Sequence, residues 1–374
     1  EKIVNLIANH VEGMTAEEIA TFIEIPPKQE LGDYAFPCFR LAKTMHKAPN
    51  LIAADIKEAI GDIDFLDKID VQGAYLNFFV KKDIFVQTMI ESALKDNFGG
   101  SNEGADKVIC IDYSSPNVAK NFHVGHLRTT IIGNSLYKIY SKLGYKVIRI
   151  NHLGDWGTQF GKLIVAYKNW GTKEAVEKDG VAELMRLYVK FHEEADQNPE
   201  LVDEARAWFS KMEHGDEEAL SIWQWFKDIS LVEYKRTYDL LGMDFDYYLG
   251  ESFYRDKCQE VVDQLTNANL LKESEGAMIV DLSDYDMAPC IVTKKDGSSI
   301  YATRDLAAIF YRKNTYHFTK CLYVTGQEQK LHFAQVFKVV ELLGNDWAKD
   351  SLVHIPYGLV SLEGAKLSTR SGNI

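Results

Sequence analysis

A short segment of the chain, residues 121–126 with the sequence Asn-Phe-His-Val-Gly-His, has residue types suited to phosphate chemistry. It follows a predicted strand and opens a long helical pattern. Unsatisfied N–H groups and the positive end of the helix dipole attract phosphate oxygens there. His123 and His126 would lie on one side of the first turn and donate hydrogen bonds to charge developing on an α-phosphate. Gly125 would leave room for a flat base, so the segment predicts a nucleotide site.

A second stretch, residues 364–373, is rich in Gly, Ser, Lys and Arg, and we expect a mobile basic loop. Lys366 and Arg370 would close two cations over a triphosphate during reaction. Alone, such a stretch is usually a solvated tail. Its pairing with the histidine segment favours the functional interpretation.

Other interpretations of the two histidines are open at this level: one capping and one core residue, or a shared zinc ion. Against zinc, no third ligand is local, and the chain has no His-Glu-x-x-His motif. A P-loop is excluded because Leu163 follows Gly161-Lys162 where Ser or Thr is required. No Gly-x-Gly-x-x-Gly follows a strand, which excludes the usual dinucleotide fingerprint.

The elements around the histidine segment predict an α/β fold. A buried strand over 107–113, a helix over 126–143 and a strand over 145–151 form one β-α-β unit, which favours a parallel sheet. Residues 160–270 are mostly helical by period. Strands return at 277–282, 291–293, 321–325 and 352–360. The simplest architecture is one α/β sheet interrupted by a helical insertion.

The first hundred residues predict a separate small α+β domain. Helical patterns cover 3–7, 16–25, 36–46 and 51–60, and another helix runs through Ser92. The alternating segment 73–80 predicts a strand. A glycine-rich stretch at 98–104 marks a boundary, so the second domain is predicted to start near residue 105.

Composition narrows the class of protein. The 374 residues include 42 basic and 55 acidic side chains, a net charge of 42 − 55 = −13, with 46% hydrophobic residues. This is an ordinary globular composition that excludes general disorder. Five separated cysteines without a Cys-x-x-Cys pair favour a reducing, cytoplasmic setting, and no apolar run is long enough to span a membrane.

One part of the chain is basic although the net charge of the whole chain is negative. Residues 113–150 contain six basic and no acidic side chains. This strip would suit a polyanion held at one site. The solvated face of an amphipathic helix explains it equally well.

Several stretches together resemble the class I aminoacyl-tRNA synthetases, and within them the arginyl-tRNA synthetase family. Residues 123–126 resemble the HIGH motif, and residues 366–370, Lys-Leu-Ser-Thr-Arg, resemble the KMSKS loop. More specific matches are the segments 114–120, 153–160 and 301–305, and residues 32–37 resemble the family's extra N-terminal domain. The resemblance covers essentially the whole chain in the right order.

The resemblance implies a fold and its limits. It implies a class I, Rossmann-like parallel-sheet catalytic domain over 105–374 with the helical insertion near 160–270. A small α+β domain over 1–104 would precede it and contact the outer corner of tRNA. The family continues into a helical anticodon-binding domain, which this sequence, ending at Ile374, lacks.

The resemblance also implies a two-step reaction. The carboxylate of L-arginine attacks the α-phosphorus of ATP, with Mg²⁺ as cofactor, and the arginyl group then passes to the 3′ end of tRNA(Arg), which must usually be bound first. The implied catalytic residues are Lys120, His123, His126, Lys366 and Arg370. The implied ATP-binding residues are His123, Gly125, His126, Lys366 and Ser368. Thr369 replaces a lysine of the general loop, and we hypothesise that Lys120 supplies the missing charge. A monomer is expected.

The amino acid and the tRNA would be held by two further sets of residues. The implied arginine-binding residues are Asp112, Asn117, Tyr301, Asp305 and Gln329, with both carboxylates facing the guanidinium. Some members have Glu in place of Asp112. The aspartate side chain is shorter, which counts against a direct contact between Asp112 and the guanidinium. The implied tRNA-binding residues are Tyr75, Asn77 and Phe79, which would hydrogen-bond to or stack on an unpaired base.

Two other classes of function stay open. One is another nucleotidylyltransferase that activates a small acid without tRNA. The other is a non-catalytic tRNA-binding paralogue that keeps the fold.

Overall fold

The structure of the chain is a computed structural model that describes residues 1–294, 300–358, 361–362 and 365–366. The chain separates into two compact units, Glu1–Gly99 and Gly100–Ile374. The division falls within the predicted glycine-rich stretch, five residues before the predicted boundary at 104.

The N-terminal unit is a small α+β fold. Its elements are α1 (Lys2–Ala8), α2 (Ala16–Phe22), β1 (Tyr34–Pro37), α3 (Ala42–Met45), α4 (Pro49–Ile60), β2 (Leu66–Gln72), β3 (Tyr75–Val80) and α5 (Lys82–Ala93). The strands form an antiparallel sheet in the order β1-β3-β2. One core cluster, with Phe36, Ile52 and Phe78 fully buried, joins the sheet to the helices.

One prediction for this unit was wrong, and one strand was missed. The predicted helix 36–46 begins later, because Phe36 and Pro37 belong to β1 and pair with β3, while a 3₁₀ turn, Cys38–Leu41, precedes α3. Strand β2 had not been predicted. A register shift between Leu66 and Lys68 breaks the alternation by which a half-buried strand is recognised.

The C-terminal unit contains the remaining helices and strands. Its helices are α6 (Val124–Lys142), α7 (Thr158–Trp170), α8 (Lys173–Asp179), α9 (Val181–Gln197), α10 (Glu200–Glu213), α11 (Glu217–Leu240), α12 (Glu251–Tyr254), α13 (Cys258–Asn267), α14 (Tyr301–Tyr316), α15 (Lys330–Leu342) and α16 (Ala348–Ser351). Its strands are β4 (Val108–Asp112), β5 (Lys146–Asn151), β6 (Tyr247–Tyr248), β7 (Leu271–Ser274), β8 (Ala277–Val280), β9 (Cys290–Thr293), β10 (Lys320–Gly326), β11 (Leu352–Tyr357), β12 (Ser361–Leu362) and β13 (Ala365–Lys366).

A five-stranded parallel sheet in the order β11-β10-β4-β5-β6 organises this unit, so the predicted parallel α/β sheet is confirmed. Strand β4 is covered on both faces: Ile109 and Ile111 belong to a core cluster with residues of α6 and α11, and Cys110 packs in another with α14 and α15. From β4 the chain goes first to β5 and later returns to β10 on the opposite side. Such a switch point leaves a ligand crevice at the carboxyl ends of the strands.

The predicted strands at 277–282 and 291–293 do not join the parallel sheet. They form a separate antiparallel sheet in the order β7-β8-β9. Glu275 and Gly276 have φ of 53° and 85°, which is the geometry of a tight hairpin turn. The connection from Val280 to Cys290 is also shorter than the crossover of a dozen or more residues that parallel pairing requires.

The helical insertion packs around tryptophans. Helices α7 to α11 enclose a cluster that includes Trp156, Trp208 and Trp223, all less than 10% exposed. Among the residues that the structure describes, no helix is long and apolar enough to cross a bilayer.

Gly133 lets α6 approach the end of β4. A Cβ atom at this position would lie 2.1 Å from Cγ of Tyr113, a ring that is fully buried. We therefore expect Gly133→Ala to lower the free energy of unfolding by about 2 kcal/mol through overpacking, despite the better helix propensity of alanine. Urea unfolding measures the change. Ser135→Ala, at an exposed position on the same helix, is the control, and equal stability of both variants would contradict the prediction.

Candidate active site

The candidate site lies where β4 ends and α6 begins. His123 is the N-cap of α6, with extended backbone at φ −125° and ψ 175°. The hydroxyl of Thr129, one turn into the helix, donates to the Val324 carbonyl of β10 at 2.6 Å. The second turn of α6 is thereby tied to β10, the neighbour of β4, at the switch point of the sheet.

The two imidazoles form a reciprocal cap. The N–H of Gly125 donates to Nδ1 of His123 at 3.1 Å, and the N–H of His123 donates to Nδ1 of His126 at 3.2 Å. Their rings stack with centroids 3.9 Å apart. Because each Nδ1 accepts a hydrogen bond, the neutral tautomer carries its proton on Nε2, which is left to donate to a ligand.

The site disfavours positive charge on both rings. Burial and then the nearby Lys120 ammonium lower the pKa of His123. Burial, His123 and Lys120 together lower the pKa of His126 to about 3. Both side chains are therefore neutral hydrogen-bond donors near pH 7.

The low pKa of His126 has a consequence for stability. Below pH 6.5 the unfolded chain takes up a proton at this residue that the folded chain refuses until about pH 3, so folding becomes less favourable as the pH falls through this window. We expect His126 to contribute a slope of up to about 1.4 kcal/mol per pH unit. Unfolding free energies at pH 7, 6, 5 and 4 should fall more steeply for the wild type than for His126→Gln. Parallel curves would contradict this assignment.

The structure gives a reason for glycine at position 125 in addition to the predicted room for a base. A Cβ atom there would lie 2.9 Å from Cε1 of His123. Any other residue would therefore push the His123 ring out of its capping position.

The segment 114–120, which connects β4 to the histidine turn, has an unusual backbone. Ser114, Ser115 and Ala119 have φ of 70°, 47° and 61°, in the left-handed region that side chains disfavour. Each such residue costs on the order of 1 kcal/mol or more, so surrounding contacts must maintain the conformation. Among them, Ser115 N–H donates to Oδ1 of Asn151 at 3.2 Å.

Asp112, predicted to face a guanidinium, already holds one from this chain. Arg312 of α14 is fully buried, and its Nη2 lies 2.8 Å from Oδ2 of Asp112. The other carboxylate oxygen accepts from Ser115 Oγ at 2.9 Å. The side chain of Asp112 is only 8% exposed, so its contact with a substrate stays a prediction.

The other predicted arginine-binding residues lie on α14 and at the start of α15. Tyr301 is 63% exposed at the first turn of α14, and Asp305 follows one turn later on the same face. Oδ2 of Asp305 lies 2.5 Å from Nε2 of His332, with the carboxylate about one-fifth exposed. Gln329, the N-cap of α15, is exposed, as is Asn117 in the segment 114–120.

A second acidic group lies close to Tyr301 and Asp305. Glu251 is buried, and its Oε2 lies 2.8 Å from Nη1 of Arg304 on α14. Burial raises the pKa of Glu251 to about 8 against the opposing effect of that guanidinium. A cavity of about 530 Å³ adjoins this pair and is lined by Trp156, Tyr301 and Arg304 among others.

Within the segment 153–160, Asp155 joins parts of the fold, whereas residues 156–159 line the cavity beside Tyr301. Asp155 is fully buried; its Oδ2 lies 2.6 Å from Nζ of Lys227, and Ser252 donates to it through its amide and its hydroxyl. The indole Nε1–H of Trp223 donates to the Asp155 carbonyl at 2.7 Å. This arrangement joins the sheet to the helical insertion.

The remaining predicted residues are partly outside the described structure. The backbone of Lys366 belongs to β13, which pairs with β12. Ser368 and Arg370 lie outside the described residues. In the N-terminal unit Asn77 is only 3% exposed, whereas Tyr75 and Phe79 are half-buried, so the predicted contact of Asn77 with a base would need a change in its surroundings.

Sequence reasoning missed several side chains of the site. These are Arg312 and His332, which hold the two predicted carboxylates, and Asn151, which holds the segment 114–120. The only sequence signal was the position of Arg312, seven residues after Asp305, a spacing that puts the two side chains on one face if the segment is helical. The described residues include no group of three His, Cys, Asp or Glu side chains placed to hold a metal ion.

Comparison with known proteins connects this geometry to a family. Residues 89–374 match the family described as "tRNA synthetases class I (R), catalytic domain", and residues 1–80 match "Arginyl tRNA synthetase N terminal domain". The chain belongs to the class I arginyl-tRNA synthetase family. It is 57% identical over 376 residues to the arginine–tRNA ligase of Alkaliphilus metalliredigens and 56% identical over 374 residues to that of Clostridioides difficile. Each match covers 100% of this chain but 66% of the relative, so the chain spans about two thirds of their length.

Solved structures of the family share the fold. The Thermus thermophilus arginyl-tRNA synthetase matches 94% of this chain and 64% of its own, with a TM-score of 0.67 and 22% identity. The Plasmodium falciparum arginyl-tRNA synthetase matches 96% of this chain and 64% of its own, with a TM-score of 0.64 and 24% identity. The expected class I synthetase fold is therefore confirmed, as is the resemblance to the family.

Proposed function

We propose that the chain provides the catalytic core of an arginine–tRNA ligase, which activates L-arginine with ATP and transfers it to tRNA(Arg). The observation that carries the proposal is the pair of neutral, stacked imidazoles at the first turn of α6, each with Nε2–H left to donate. Two such donors beside Lys120 suit the charge that develops on an α-phosphate as pyrophosphate leaves. The family membership and the curated relatives, which are arginine–tRNA ligases, support the same reaction.

The residues divide into three roles. His123 and His126 would donate hydrogen bonds to the phosphates, and Lys120 would place a cation near them. Asp305 would accept the guanidinium of arginine through Oδ1, because His332 occupies the other oxygen. Tyr301 would pack along the arginine side chain, while Asn117 and Gln329 would hold its α-amino and carboxylate groups. No protein nucleophile is required, since the arginine carboxylate attacks phosphorus directly.

The proposal includes the ion and the loop that accompany ATP. Mg²⁺ would arrive as the counter-ion of the ATP phosphates, and we assign it no protein ligand. Lys366, Ser368 and Arg370 would act on the triphosphate by resemblance to the KMSKS loop.

The N-terminal unit and the cysteines bear on the tRNA partner and the cellular compartment of the protein. Tyr75, Asn77 and Phe79 in the N-terminal unit would contact tRNA. We propose a monomer in the cytoplasm, and the five cysteines, all free thiols, suit a reducing compartment.

Arginine-dependent ATP–pyrophosphate exchange tests the proposal. It should be measured with and without tRNA(Arg), with lysine as the control amino acid, on this chain and on the chain extended by the C-terminal third that its relatives carry. Exchange that requires both arginine and tRNA supports the ligase. Exchange with another acid and without tRNA would favour a different nucleotidylyltransferase. Tight tRNA binding without exchange in the extended chain would favour a non-catalytic paralogue.

A further inference from the structure

Three hydroxyl groups form a line along one buried face of α11. Ser230, Tyr234 and Tyr238 are spaced four residues apart, which places them on one stripe of the helix. None is more than 1% exposed. We call these three residues the hydroxyl ladder, and each of them faces the segment 114–120.

Ser230 and Tyr234 contact the second half of that segment. Ser230 Oγ accepts from the N–H of Ala119 at 3.0 Å and donates to the Phe226 carbonyl at 2.7 Å. The hydroxyl of Tyr234 lies 2.7 Å from the Asn117 carbonyl and 2.6 Å from the Lys120 carbonyl. These contacts link α11 to the backbone of both residues that are proposed to handle arginine and ATP.

Tyr238 contacts the beginning of the segment. Its hydroxyl lies 2.7 Å from Ser114 Oγ and 3.0 Å from Nδ2 of Asn151, whose Oδ1 in turn accepts from the N–H of Ser115. The hydroxyl ladder thus holds the segment at its start, its middle and its end.

The segment needs such external partners. Its backbone pairs regularly only at a bridge with Gly154, which bonds to Pro116 and Val118, and three of its residues are left-handed. Four of its seven residues are buried. A buried polar group without a partner is costly, so loss of one ladder hydroxyl would favour a different backbone arrangement. Sub-ångström shifts at Asn117 and Lys120 would then misplace the groups that act on the substrates.

We propose that the hydroxyl ladder holds the segment 114–120 in its reactive conformation, so that Ser230, Tyr234 and Tyr238 are positioning residues for adenylate formation. The inference rests on the proposed function. Ser230 and Tyr234 act through the backbone of the segment, and Tyr238 acts through the side chains of Ser114 and Asn151. All three residues lie more than 100 residues after the segment in the sequence.

Tyr234→Phe is the principal test, because it removes one hydroxyl and keeps the ring. In the chain extended by the C-terminal third, we expect the kcat of adenylate formation per folded enzyme to fall by about 10- to 100-fold. The matched control is Tyr167→Phe, the same change in the same helical bundle, where the ring packs on Trp225 and Phe226. The control should keep the wild-type kcat. Because Tyr234→Phe leaves two buried carbonyls without their donor, its melting temperature is expected to fall below that of the control, so kcat is compared at a temperature at which both variants are fully folded.

Amide hydrogen exchange provides a readout that does not depend on activity. Ser230→Ala and Tyr234→Phe should both speed exchange in the peptide that covers residues 113–121, whereas Tyr167→Phe should not. Unchanged amide hydrogen exchange together with unchanged kcat in both ladder variants would overturn the inference. A kcat loss no larger than that of Tyr167→Phe would also overturn it. If the wild type shows no ATP–pyrophosphate exchange, the proposed function fails. The amide hydrogen exchange of the variants still decides whether the hydroxyl ladder holds the segment.

Discussion

Replacing His126 by alanine should slow adenylate formation by about 10²- to 10³-fold, the usual cost of removing one donor aimed at developing charge. The imidazole is neutral because burial lowers its pKa to about 3, and its Nδ1 is occupied by the N–H of His123. Only Nε2–H remains to interact with phosphate. Single-turnover formation of the adenylate by the extended chain, with saturating ATP and arginine, measures the loss.

The control for this prediction is His214→Ala, which removes an exposed imidazole at the C-cap of α10 that bonds to the Ser210 carbonyl. It should retain the wild-type rate. If His126→Ala is instead slowed less than about threefold, the donor role assigned to the imidazole is wrong. A variant that loses ATP binding but keeps its rate at saturation would show that His126 stabilises the ground state as much as the transition state.

Asp305→Asn should raise the KM for arginine by about 30- to 5000-fold, because truncating or neutralising one partner of a desolvated charge pair costs about 2–5 kcal/mol. Oδ2 of Asp305 is held by His332 on α15, which fixes the orientation of the carboxylate. The amide keeps the shape and one acceptor but removes the charge that a guanidinium requires. Exchange kinetics as a function of arginine concentration measure the effect.

Citrulline, the neutral isostere of arginine, sharpens this test. The wild type should strongly prefer arginine over citrulline, and Asp305→Asn should lose most of that preference because the preference depends on charge. Asp263→Asn, at an exposed position on α13, is the matched control. If Asp305→Asn keeps the preference for arginine, Asp305 does not bind the guanidinium. The remaining candidate is then Asp112, which is paired with Arg312 in this structure.

Local sequence pattern predicted much of the framework. The buried strand, the helix and the second strand around the histidine turn are observed as β4, α6 and β5 within one residue or two of the expected bounds. The prediction of these three elements succeeds because apolar periodicity and the residues that start and end a helix are local features of the chain. Pattern failed at β2, where an irregular register hides the alternation, and at β1, a strand of four residues that was assigned in part to the following helix.

Tertiary contacts decided the state of the candidate carboxylates. The sequence presents Asp112 and Asp305 as two equivalent acids, yet the fold pairs the first with Arg312 and leaves the second partly exposed beside His332. Their partners lie 200 and 27 residues away in the chain. Periodicity assigns such residues to a helix face but does not say which distant face packs against it.

The sequence by itself determined the family, the parallel α/β architecture and the position of the histidine turn, because each depends on residue types at short spacing. Only the tertiary structure decided that burial lowers the pKa of both imidazoles, that Asp112 pairs with Arg312 and that α11 holds the segment 114–120. These features depend on hydrogen bonds between groups more than 100 residues apart or on burial within the fold. Burial and long-range pairing arise only when the elements pack together, so no local pattern encodes them.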